Sequence, residues 1–108
     1  VKDMTTIRPD LERLREAELG EAGAKFPPFH SLHEGYGVLR EEICEAEEAL
    51  STVQVYFERL WAAVRADSFA QAGEFAARIQ EAATDMAMEA VQVAAMGEKL
   101  VAFVKGGG

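Results

Sequence analysis

Residues 33–50, HEGYGVLREEICEAEEAL, decide how the rest of the chain is read. Leu39, Ile43, Ala46 and Leu50 step along this stretch by four, three and four residues, and Val53, Phe57, Leu60 and Val64 continue the rhythm. Apolar residues at that spacing form the heptad seam of a packed helix. Ser31 starts the helix, with Glu34 three residues on as a capping box. No proline interrupts the run before about Ala66, and Ser51-Thr52 is the one place suited to a bend. The same stretch holds six glutamates, Glu34, Glu41, Glu42, Glu45, Glu47 and Glu48. Glu42 and Glu45 lie three apart and share a helix face. Two ionised carboxylates about 5 Å apart repel by roughly 3 kcal/mol at an effective dielectric near 20. Such a pair persists where it is fully solvated or where a cation sits between the charges.

Downstream, Asp67 or Ser68 begins a second long helix, and Gln71 completes a capping box with Ser68. Its seam is Phe69, Ala72, Ala76, Ile79, Ala83, Met86, Ala90, Val93, Gly97, Leu100 and Val104, and Gly106 to Gly108 is a frayed end. Two such helices with small residues on the seam pack antiparallel across a short turn. Upstream, residues 1–8 have no periodicity. Asp10 caps a short helix over residues 11–22, with Leu11, Leu14 and Leu19 as a narrow stripe, ended by Gly20 and Gly23. Residues 24–30, AKFPPFH, form a connector, because consecutive prolines cannot continue a helix. Phe26 and Phe29 anchor it on the core. The fold class is therefore all-α: a single domain over residues 1–108, with a long antiparallel helical hairpin and a short N-terminal helix. The hairpin has more apolar face than one short helix covers, so self-association into a four-helix-type bundle is expected, as a homodimer or homotetramer.

Composition narrows the function. In 108 residues there are 19 acidic and 11 basic side chains, a formal net charge of −8, and the pI is near 4.7. Such a surface repels nucleic acid and anionic lipid, and it repels anionic substrates unless metal ions invert the local field. Cys44 is the sole cysteine, so no intrachain disulfide forms. No apolar run reaches the length of a membrane span, and the start has no signal-peptide pattern. A cytoplasmic location is the expectation.

On a helix of 100° per residue, Glu42 falls about 60° and Glu45 about 120° from Leu39. Both border the core beside Val38, Val53 and Tyr56, whereas Glu41 lies further round and Glu48 points away. On the last helix Asp85, Glu89 and Gln92 share a strip with Met96 and Phe103. If the two strips face each other, their oxygen ligands make a hard-cation site suited to Mg²⁺ or Mn²⁺. The competing reading is a solvated acidic face, with Asp85 and Glu89 paired to Arg78 or Lys99. Other residues offer less. His30 and His33 lack a third ligand, Tyr36 and Trp61 read as flanks of the core, and Cys44 between acidic neighbours is a poor nucleophile. Met86, Met88 and Met96 read as packing.

The run FHSLHEGYGVLREEICEAEEAL, residues 29–50, resembles the start of MazG-like nucleotide pyrophosphohydrolases, members of the all-α NTP pyrophosphatase superfamily. Their pattern is Glu-Glu-x-x-Glu on one helix and Glu-x-x-Asp on a later one. Glu41-Glu42-Ile43-Cys44-Glu45 matches the first half, and EAVQVAAM, residues 89–96, resembles the second. Gln92 stands where that superfamily has Asp, and the gap between the two halves is longer than in compact members. The resemblance implies hydrolysis of a nucleoside triphosphate to monophosphate and pyrophosphate, a nucleotide-housecleaning reaction. It implies Glu42, Glu45 and Glu89 as metal ligands, Asp85 or Gln92 completing the shell, and Glu41 orienting or deprotonating the attacking water. Lys25, Arg40, Arg78 and Lys99 are the candidates for steadying the phosphates. The alternative is a helical nucleotide-binding or interaction module that has lost this chemistry.

Overall fold

A computed structural model describes residues 4–25 and 27–107, with the side chains of Ala24 and Lys25 excepted. The expected anchor Phe26, the phosphate-binding candidate Lys25 as a side chain, residues 1–3 of the irregular start and Gly108 lie outside the described residues. Among the described residues the protein is all-helical. A short 3-10 turn, Met4–Ile7, leads into α1, Arg8–Lys25, followed by α2, Leu32–Arg65, and α3, Phe69–Lys105. The two longer helices pack together.

The first helix is longer than its sequence suggests. It begins at Arg8 because Pro9 sits in the first turn, where no backbone N–H is needed. It also continues through Gly20 and Gly23, neither of which takes the positive φ that would end it. Pro27 and Pro28 follow its end. Leu11 and Leu14 are exposed, so only Leu19 and Ala22 of the predicted region pack inward.

The helix starts follow the sequence more closely. The Glu34 N–H donates to Ser31 Oγ at 3.0 Å, and the Gln71 N–H donates to Ser68 Oγ at 3.2 Å. The first box is only half closed, since Glu34 Oε2 lies 3.1 Å from His30 Nδ1. Between α2 and α3 the chain reverses in three residues, Ala66, Asp67 and Ser68. Asp67 adopts φ 55° and its N–H bonds to Val64 O at 3.1 Å, while the Ser68 N–H bonds to Ala63 O at 3.0 Å. This is a Schellman cap, and its last residue is also the N-cap of α3.

The described chain divides into two compact units, Val1–Glu42 with Ala90–Gly108, and Ile43–Glu89. In the first, Phe29, Ala95 and Met96 are buried, with Leu19, Ala22, Val38, Leu39, Leu100 and Phe103 packed on them. Phe29 thus anchors the connector as expected, a burial that stabilises by about 2–3 kcal/mol. Lys99 Nζ stands 4.5 Å above its ring, and Arg15 Nε, 2.9 Å from Glu98 Oε1, ties α1 to α3. Gly35 is buried here for a steric reason: a Cβ would lie 2.6 Å from Leu100 Cδ1 and 3.3 Å from Phe29 Cδ2. In the second unit Ala63 and Ala82 are buried, and the Tyr56 and Phe75 rings stack with centroids 6.3 Å apart.

Burial along each long helix corrects the predicted seams. On α2, Leu39, Ala46, Val53 and Leu60 are half-buried as expected, but Ile43, Leu50, Phe57 and Val64 are exposed, Phe57 by 65%. The second inward line is Gly35, Glu42, Ala49, Tyr56 and Ala63. On α3, Ala72, Ile79, Met86, Val93 and Leu100 face inward, and their companion line is Phe75, Ala82, Glu89, Met96 and Phe103. Phe69, Ala76, Ala90 and Val104 are exposed. Small residues explain the rotation. Gly35, Ala49, Ala63 and Ala82 let backbones approach, which bulky Ile, Leu and Phe on the other line would prevent.

Substitutions at two nearby glycines should separate sterics from helix propensity. Gly35→Val should lower stability by about 1–3 kcal/mol through overpacking against Leu100 and Phe29. Gly37→Ala, where nothing lies within 4 Å, should raise it by up to about 1 kcal/mol. Urea midpoints at constant slope measure both.

Candidate acidic site

The rotated packing lines bring carboxylates further inward than the sequence suggests. Glu42 is half-buried on the inner line of α2, between Gly35 and Ala49 in the heptad order. Glu45 is exposed one turn later on the same unbroken helix, and the two offer carboxylate oxygens within 4.8 Å of each other. In the second unit a Glu89 carboxylate oxygen comes within the same distance of Glu45. Glu89 sits on the inner line of α3, with Ala82 and Met96, both buried, one heptad either side. Its Oε2 atom is buried and has no hydrogen-bond partner among the described residues.

That placement pushes the Glu89 pKa up from its ordinary value of 4.5. Desolvation is the largest cause, because burial penalises the charged form. The Glu45 charge adds to it, as does a carboxyl-to-carboxylate hydrogen bond with Glu45 that exists only when one of the two is protonated. Asp85 and Glu48 contribute further repulsion. All of these effects favour the protonated form of Glu89.

The groove beside Glu89 in this unit is lined by Glu45, Glu48, Ala49, Thr52, Asp85, Met88 and Glu89. Glu48 was expected to point away, yet it lines the groove. The inward-facing arc is rotated towards Ala49, which carries Glu48 with it. Thr52 was not foreseen either, although its position seven residues after Glu45 placed it on the same side. Its hydroxyl donates to Glu48 O at 3.2 Å within α2. Asp85 is exposed and lines the groove without joining the tight carboxylate cluster. Gln92 is half-buried one turn beyond Glu89 on α3, and Glu41 is exposed on α2.

Several readings from sequence change. Tyr36 and Trp61 are 66% and 58% exposed, so neither flanks a core. Arg65 lies over the Trp61 ring at 5.7 Å. Among the described residues no ion pair joins Asp85 or Glu89 to Arg78 or Lys99. His30 pairs with Glu34, and His33 is exposed. Cys44 is exposed. Met96 packs in the core and Met86 is half-buried, whereas Met88 is 62% exposed at the groove.

The donor set fits a hard divalent cation. All ligating atoms are carboxylate oxygens, and the buried Glu89 Oε2 needs a cationic or hydrogen-bonding neighbour. No family model, no curated protein and no solved structure matches the chain.

Because the folded pKa of Glu89 exceeds its unfolded value, ionised Glu89 costs stability at neutral pH. The cost is relieved as pH falls through the raised pKa towards 4.5. Glu89→Gln, measured in chelator, should raise Tm at pH 7 and flatten the gain otherwise seen as pH falls towards 4.5. Thermal melts across that range give the answer; an unchanged pH profile would contradict the desolvated carboxyl.

Proposed function

We propose that this chain is a metal-dependent hydrolase that splits nucleoside triphosphates into monophosphate and pyrophosphate. The observation that carries this is the Glu45–Glu89 convergence, with a buried, unpartnered Glu89 oxygen beside a groove open to solvent. The Glu41-Glu42-x-x-Glu45 run and residues 89–96, which resemble the MazG-like motifs, support the choice of reaction.

In this reading Glu42, Glu45 and Glu89 hold Mg²⁺ or Mn²⁺, with Asp85 or Gln92 completing the shell. The metal's chemistry is to neutralise phosphate oxygens and lower the pKa of a coordinated water. Glu41, four residues before Glu45, orients the attacking water and takes its proton. The water oxygen bonds to the α-phosphorus, the bond to the α–β bridging oxygen breaks, and that oxygen leaves with pyrophosphate. Glu48, at the groove wall, adds negative charge that raises demand for cations there.

The exposed line Ile43, Leu50, Phe57 and Val64 supports assembly as a homodimer or homotetramer. Heptad-spaced apolar residues on one helix face suit a second copy. A second functional reading is a module that binds nucleotide without cleaving it. Gln92 favours it, because a neutral amide replaces a charged ligand.

Pyrophosphate release from a panel of NTPs and dNTPs should depend on Mg²⁺ or Mn²⁺ and vanish in chelator. Glu42→Gln should abolish turnover and leave helix content unchanged by circular dichroism; full activity in that variant would refute the ligand set. Phe57→Glu should shift sedimentation to monomer if the exposed line is the assembly face, and an unchanged oligomer would remove that assignment.

A further inference from the structure

The groove does not end at the carboxylates. Thr52 and Asp85 also line a second depression in the same unit, walled by Tyr56, Ala77, Arg78, Glu81 and Ala82. There one cation, Arg78, enters the lining beside the carboxylates of Glu81 and Asp85. The Arg78 guanidinium lies 5.9 Å from the Tyr56 ring centroid, and that of Arg59, outside the lining itself, lies 5.3 Å from the same ring. Among the described residues, neither arginine has a carboxylate within ion-pair distance. In a chain of net charge −8, two unpaired guanidiniums sharing one aromatic ring is an unusual use of scarce positive charge. Stacking on the ring restrains each cation while leaving its N–H edges available to oxyanions.

We propose that Arg78 and Arg59 form a polyphosphate subsite, which takes the terminal phosphates of the substrate whose reacting end lies at Glu45 and Glu89. This rests on the hydrolase reading for its substrate and adds the residues that position the leaving group. Spacing along α3 agrees. Arg78 precedes Glu89 by eleven residues, about 16 Å of helix. An extended arginine and a phosphate chain together bridge that distance. Glu81 and Asp85 line the intervening wall and oppose an anion, so the subsite works best with a divalent cation bound upstream. Of the basic residues considered from sequence, Arg78 is the one that lines this groove; Lys99 is occupied over Phe29.

The test uses inorganic triphosphate as probe, titrated calorimetrically into the full chain with and without Mg²⁺. Wild type should bind it. Arg78→Ala and Arg59→Ala should each weaken binding by about tenfold or more, as loss of a charge-assisted hydrogen bond does, and Arg78→Lys should recover part. Mn²⁺ affinity, titrated separately, should not change in any of these variants. In turnover, Arg78→Ala should raise KM for the triphosphate. Absence of triphosphate binding by wild type, or equal binding by an Arg59→Ala/Arg78→Ala double variant, would overturn the subsite and leave metal-dependent hydrolysis standing. Arginine-dependent triphosphate binding in a chain that cleaves no nucleotide would retain the subsite and sink the hydrolase reading.

Discussion

A three-residue reversal sets the phase of everything downstream of it. With Asp67 in the left-handed region and Ser68 serving as both the end of one cap and the start of another, α2 and α3 leave the turn with no slack. In the second unit, residues equally far from Asp67 then come together. Glu45 and Glu89 are each 22 positions from it, and Tyr56 and Arg78 are each 11. One hydrogen-bonded corner thus aligns an acidic pair and an aromatic–cation pair on the same groove. A longer, looser loop would leave their alignment to side-chain packing alone.

Given that phase, small residues decide which faces meet. Alanine at 49, 63 and 82 and glycine at 35 contribute little apolar area, so the protein gives up burial of Ile43, Leu50, Phe57 and Val64 to obtain close backbone approach. The closeness carries Glu42 and Glu89 inward with the alanines. Stability and site are therefore set against each other: the lines that pack best are the ones that carry charge.

Much of this was legible in the sequence. Helix class, the Ser31 and Ser68 caps, the Phe29 anchor and the positions of Glu42 and Glu89 at the packing seam followed from periodicity and capping chemistry, whereas Glu45, expected to border the core, is exposed. The rotation of the seam did not. Two adjacent heptad lines, such as Leu39–Leu60 and Ile43–Val64, score alike for hydropathy, and only close approach over alanine and glycine separates them from the line through Gly35, Ala49 and Ala63. Glu48 was misplaced for the same reason. The extension of α1 through Gly20 and Gly23 was missed because a glycine ends a helix only where the chain takes a positive φ. Arg78 could be named as a candidate but not ranked, since a guanidinium set beside a tyrosine of another helix leaves no periodic signal.

The boundary between the two compact units falls at Glu42–Ile43 on α2 and at Glu89–Ala90 on α3, where the half-buried carboxylates are. Desolvation at Glu89 penalises its charged form, so α3 is not uniformly stable along its length. Within the second unit, backbone amides near Glu89 are expected to exchange with solvent sooner than those around Ala82. A cation that settles Glu45 and Glu89 in that unit would raise the free energy of local opening and slow exchange there.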